Sequence, residues 1–154
     1  MRVVPFSDEY DRIWSQIYDA FDFHPSVDAF TIPFRISQPH VVYNLPELVW
    51  DLECESLVEE MLQAAGDEEI YALDWRHPAY VYRPGERHDW GSEGEAFFPS
   101  YYPDGNYCFF VAKDLSYGIL GHPWHKDLYV FGEKLMALFE LHRERLGFVH
   151  AAHE

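Results

Sequence analysis

Three short stretches carry the residues best suited to chemistry. They are Gly121-His122-Pro123-Trp124-His125, Asp74-Trp75-Arg76-His77-Pro78 and Arg87-His88-Asp89. If they met at one end of a sheet, two or three histidines and an aspartate could hold a divalent metal, leaving an open position for water or phosphate. Asp74, Arg76, His77, His122, Trp124 and His125 are therefore the alternative ligand site, that of a small metal- or ligand-dependent enzyme. The spacing argues the other way. A His-x-x-His that crosses a proline is not the i,i+4 pair of a helical metal site, and the chain has no nucleophile elbow, phosphate-binding loop or dinucleotide fingerprint. Each stretch also has a purely architectural use. Asp74 can cap a turn with Arg76 paired to it and Trp75 in the core, while Gly121 permits an unusual backbone angle, Pro123 fixes the exit and Trp124 packs beneath. That architectural reading is the favoured one, so no catalytic residue, metal ligand or cofactor is assigned.

Charge is the strongest global signal. The 154 residues hold 27 Asp and Glu against 11 Lys and Arg, a formal net charge of −16. Such a field repels phosphates and anionic lipid and attracts a basic protein, which removes nucleic acid and membrane surfaces from the expected partners. The acids cluster: Glu47, Asp51, Glu53, Glu55, Glu59, Glu60, Asp67, Glu68 and Glu69 follow one another with no Lys or Arg between them. A solvated helix face is the ordinary explanation of such a run. Its alternative use is to steer and pair with a basic partner, with Glu53, Glu55, Glu59 and Glu60 as the pairing groups and Trp90 as a buried anchor.

The elements that must position these groups can be read from periodicity and caps. Ser7 caps a first helix with Tyr10, Ile13, Trp14, Ile17 and Phe21 on one stripe, ending by Pro25. A middle helix starts at Asn44-Leu45-Pro46-Glu47, and Ser56-Leu57-Val58-Glu59 forms a second capping box. Leu45, Leu48, Val49 and Leu52 fall nearly opposite Leu57, Val58, Met61, Leu62 and Ala65, so two short helices or one kinked helix are expected, stopping at Gly66. Strands are expected over 30–36 (at an edge, because of Pro33), 40–43, 70–75, 79–82, 107–112, 116–121 and 128–131. The 107–112 run is apolar on both faces and therefore central. A last helix over 133–146 stops at Gly147, with His142 on its apolar stripe and a frayed tail after about 147. Residues 83–96 read as an exposed loop, and the aromatics of 97–102 as either core or interface.

These elements predict an α+β fold: an antiparallel sheet of about four to six strands with N-terminal, middle and C-terminal helices packed on it, in a single domain spanning 1–154. With 18% aromatic residues the core is well supplied. Cys54 and Cys108 have neither metal nor disulfide spacing and read as buried or half-buried thiols. No apolar run approaches the roughly eighteen residues of a membrane span, and the N-terminus turns acidic before a signal region develops, so a cytoplasmic protein is expected.

The blocks "IYALDWRHPAYVY" and "YYPDGNYCFFVAKDLSYGILGHPWHKDLYVFGEKL" resemble a bacterial family of domains of unknown function, DUF2716, recognised by YALDW-x-H-P, by P-[DN]-G-[DN]-Y-x-F-F, and by G-H-P-W followed by V-F-G-E-x-L. The resemblance covers residues 70–135 and implies no chemistry. The chain also resembles, by class alone, the small acidic α+β immunity partners of bacterial toxins, and class analogies transfer function weakly. The function expected from sequence is a non-enzymatic acidic protein-binding domain, of inhibitor or immunity type against a basic partner.

Overall fold

A computed structural model describes residues 1–25, 33–44, 50–86, 98–103 and 105–151. In chain order the elements are β1 (Arg2–Val4), α1 (Asp8–Phe21), β2 (His40–Asn44), α2 (Leu52–Ala65), β3 (Ile70–Asp74) and β4 (Ala79–Tyr82). There follow β5 (Cys108–Ala112), β6 (Gly118–His122), β7 (Asp127–Phe131), α3 (Glu133–Leu141), α4 (Arg143–Leu146) and β8 (Val149–His150). The eight strands form one sheet of order β1-β4-β3-β5-β6-β7-β2-β8, and every paired neighbour is antiparallel. The α+β class is as expected. The sheet is larger than the four to six strands expected, because β1 and β8, of 3 and 2 residues, close its two edges.

Alternation along the strands divides the core. Phe109 and Val111 of β5 join Leu73, Leu120 and Phe131 against Tyr10, Ile13, Trp14, Ile17 and Phe21 of α1. Cys108, Phe110 and Ala112 join Ile70, Ala72 and Ile119 against Leu57, Met61 and Leu62 of α2 and Leu135 and Phe139 of α3. Helices therefore cover both faces, which is why β5 is apolar on both sides.

Several local expectations are corrected. Helix α2 is one uninterrupted element capped by Asp51, whose side chain accepts from the Cys54 N–H at 3.0 Å; Ser56 lies inside it and Asn44 belongs to β2. Leu52 is 70% exposed, so it lies off the buried face of the helix, while Leu45, Leu48 and Val49 lie outside the described residues. No strand occurs over 33–36; Phe34 and Ile36 are nonetheless buried on the α1 face, tied there by the Arg35 N–H donating to the Phe21 carbonyl. The last helix breaks at a half-buried His142, between α3 and α4, and Gly147 stops it at φ 74°.

The tail does not fray at 147. Phe148 packs on Tyr43, Trp50 and Phe139, β8 pairs with β2, and the Ala151 N–H donates to the Val42 carbonyl at 3.0 Å. A side-chain clasp adds to this: Glu140 of α3 accepts from the Tyr43 hydroxyl and meets His150 Nε2 at 2.8 Å. The Tyr43 hydrogen bond, followed by that of His150, holds the Glu140 carboxyl below its ordinary value. A carboxyl whose folded value is depressed contributes stability above its unfolded value and loses it as pH falls through the folded one. Acidification below the ordinary glutamate value of about 4.3 should therefore loosen β8 first. Amide exchange at Ala151, normalised for intrinsic rate, is expected to accelerate there while amides of β5 do not; parallel acceleration at both would show the clasp to be irrelevant.

Candidate functional site

Where they are described, the groups that sequence reasoning singled out fall in two places, and the structure adds a third. The first is the end of the sheet where β3, β6 and β7 turn. His122 is not in a turn: it is the last residue of β6, fully buried, and pairs across the hairpin with Asp127, also fully buried. The His125 N–H donates to His122 Nδ1 at 3.4 Å, and the two rings stack at 4.3 Å with an interplanar angle of 1°. Asp127 accepts from Asn44 Nδ2 at 3.0 Å and lies 3.7 Å from His125 Nδ1; Asn44 also donates to the His125 carbonyl. Burial and then the Asp127 charge push the Tyr129 phenol on the same face up to about 12. These contacts lock a hairpin. Trp124 is half exposed at its tip rather than packed beneath it.

The 74–77 turn lies at the same end of the sheet, linked through Tyr107, whose ring meets Trp75 at 6.0 Å and His122 at 5.9 Å. Two of the three polar turns thus share an end, while Arg87, His88 and Asp89 lie outside the described residues. The sharing does not make a metal centre: among the described residues no group of three or more His, Cys, Asp or Glu could hold an ion. Asp74 accepts from Asn106 Nδ2 at 2.7 Å and lies 3.3 Å from His77 Nδ1. Arg76 is not paired to Asp74 as expected; its guanidinium carbon sits 4.5 Å from the centroid of the Trp75 ring.

The second place is helix α2, where the acidic face is only partly a surface. Glu53 and Glu60 are exposed, Glu53 paired with Arg145 at 3.0 Å. Glu55 and Glu59 are 5% and 6% exposed, a correction to their reading as groups that meet a partner. Glu55 accepts from Trp50 Nε1 at 3.1 Å, from the Ser100 hydroxyl and from the Tyr101 N–H at 3.1 Å. Glu59 accepts from the Tyr101 hydroxyl at 2.9 Å and the Gly85 N–H at 3.0 Å, and Tyr101 shares a 2.7 Å hydroxyl contact with Tyr82. Buried carboxylates need such donors, and these tie the 98–102 segment and the turn after β4 onto α2. Tyr101 and Tyr102 are accordingly core. Trp90 lies outside the described residues.

The third place was not read from sequence. An open groove of about 620 Å³ runs between α1 and the β3–β4 turn, lined by Phe6, Tyr10, Trp14, Tyr18 and Trp75 with Asp11, Ser15 and Arg76. Phe6, just before the Ser7 cap, is 64% exposed and meets Tyr10 edge-on at 5.0 Å; Tyr18 is 39% exposed. Tyr10, Trp14 and Tyr18 recur every four residues and so stack along one helix face, with centroids 6.4 and 6.0 Å apart. That spacing was the available signal. The indole N–H of Trp75 donates to the Tyr18 hydroxyl at 3.1 Å, joining the two walls. The carbonyl of Asp74 accepts from the His77 N–H at 2.9 Å, and within this turn only Arg76 has a positive φ, 72°, the pattern of a type II turn. That position favours Gly or Asn, and an arginine there costs on the order of 1 kcal/mol. Outward along α1 stand the exposed acids Asp8, Asp11, Asp19 and Asp22, against one exposed cation, Arg12.

Fold and site together define an acidic α+β domain with one eight-stranded antiparallel sheet, helices on both faces and an aromatic groove beside α1. The chain belongs to the family of proteins of unknown function DUF2716, whose model matches residues 6–136, a span taking in both α1 and the turns described above. It is 31% identical over 137 residues to the uncharacterized protein YxiI of Bacillus subtilis (strain 168), covering 82% of this chain and 84% of that protein. No solved structure matches.

Proposed function

We propose that this chain is a non-enzymatic protein-binding domain that takes a basic partner, in its sharpest form as an inhibitor of immunity type. The observation that carries the reading is the groove. Exposed aromatics flanked by carboxylates are the composition of an interface hot spot for a cationic surface, in which the rings supply buried area and the acids supply steering and register. With Glu55 and Glu59 turned inward, the steering role passes to Asp8, Asp11 and Asp19 of α1, with Glu53 and Glu60 on the other side of the sheet.

The test is capture of the partner with the tagged chain from its native host at low salt, followed by elution with rising salt. One basic protein near one-to-one is expected, with its affinity falling at least about tenfold across the salt range and falling again when Asp8, Asp11 and Asp19 are changed to asparagine. A partner indifferent to both salt and these substitutions would overturn the reading.

A further inference from the structure

The groove already contains a cation, and that cation belongs to the chain itself. Arg76 reaches back over Trp75 from a turn position whose backbone favours glycine or asparagine. Trp75 is held ready for such a contact: Tyr18 fixes its indole N–H, and Phe23 and Tyr107 meet its ring at 83° and 75°. The one face that the guanidinium covers is therefore presented rigidly. Trp faces are the strongest aromatic partners for a guanidinium or ammonium.

The surroundings favour positive charge. Asp11 lines the groove, and Asp8 and Asp19 stand exposed on the same helix. The Tyr10 phenol on the groove wall is pushed up, first by burial and then by Tyr18, with smaller contributions from Asp11 and Asp74. A volume of about 620 Å³ stands open in the groove with the Arg76 side chain in place along its wall. The groove can therefore admit a second long side chain while the first withdraws to solvent, where Arg76 is already partly exposed.

We propose that the groove is a cation site in which Arg76 is the resident stand-in, displaced from Trp75 by a lysine or arginine side chain of the basic partner. The proposal rests on the basic-partner reading and adds the place and the mechanism. Arg76 acts as a built-in competitor: it keeps the aromatic face covered in the free protein and lowers its affinity for weakly basic surfaces, so that only a partner with a well-placed cation displaces it.

The experiment titrates the full chain, labelled at the indole nitrogens, with the capped peptide Gly-Arg-Gly-Arg-Gly-Arg-Gly and with its citrulline counterpart at low salt, following indole N–H signals by NMR. Saturable movement of the Trp75 signal is expected with the arginine peptide and not with the citrulline one. Arg76→Gln should tighten binding, and Asp11→Asn should weaken it, each by about threefold to tenfold. Both side chains are exposed, so the fold should survive these changes. If the arginine peptide binds but leaves Trp75 unmoved, or if Arg76→Gln fails to tighten it, the groove assignment is overturned while the basic-partner reading stands. Absence of binding to a natively folded chain, in wild type and Arg76→Gln alike, would likewise overturn the groove assignment, and the basic-partner reading is then decided by the salt-dependent capture.

Discussion

Replacing Glu55 with alanine is expected to destabilise the fold by about 3 kcal/mol, although the residue belongs to a run of acids that looks like surface. The carboxylate is the acceptor for Trp50 Nε1, the Ser100 hydroxyl and the Tyr101 N–H, of which the last is buried. Truncation leaves those donors without their acceptor, and a buried donor without a partner costs about 1 to 3 kcal/mol. Trp50 and Ser100 have access to water and recover part of the loss, which keeps the total near the lower end of a three-bond sum. Glu55→Gln keeps the shape and one acceptor oxygen, so its cost should be about 1 kcal/mol. Urea unfolding of the two variants, compared at unchanged slope, is the measurement. Equal midpoints for alanine and wild type would show that the carboxylate does not hold the 98–102 segment.

The second large effect is expected at Phe109, the second residue of β5. Its ring is fully buried and meets Trp14 at 5.9 Å, Phe23 at 5.0 Å and Phe34 at 5.9 Å, the last two edge to face. Phe109→Ala should cost about 4 kcal/mol, the transfer of a phenyl group plus the cavity left among rings too rigid to collapse into it. Phe109→Leu refills most of the volume and should cost about 1.5 kcal/mol. Because Phe23 and Trp14 also back the groove, the alanine variant should bind the arginine peptide less well than its residual stability alone requires. A thermal midpoint within a degree or two of wild type would contradict the placement of Phe109 at the centre of the α1-side core.

Much of this was legible in the residues themselves. The stripe Tyr10, Ile13, Trp14, Ile17 and Phe21 named the buried face of α1, Ser7 its cap and Gly147 the end of α4, and all are where the periodicity put them. The doubly apolar run at 107–112 named the central strand, which forms over Cys108–Ala112. Each of these signals is local: a cap acts over three residues and a stripe over four, so the chain carries the information at the range at which it acts.

What was not legible depended on neighbours far along the chain. Strands β1 and β8 are too short to have a period of their own and exist because β4 and β2 offer them unpaired edges. The inward turn of Glu55 is set by Tyr101, 46 residues away, since only the donors brought to it distinguish a buried carboxylate from a solvated one. The groove likewise needs the β3–β4 turn to be delivered against α1, which brings Trp75 to Tyr18 across 57 residues. The sequence by itself determined which residues seek the interior, where helices begin and end, and the acidic sign of the surface. Only the tertiary structure decided which acids remain on that surface and which aromatics stay open to a partner, because both are decided by what chain closure brings alongside each side chain.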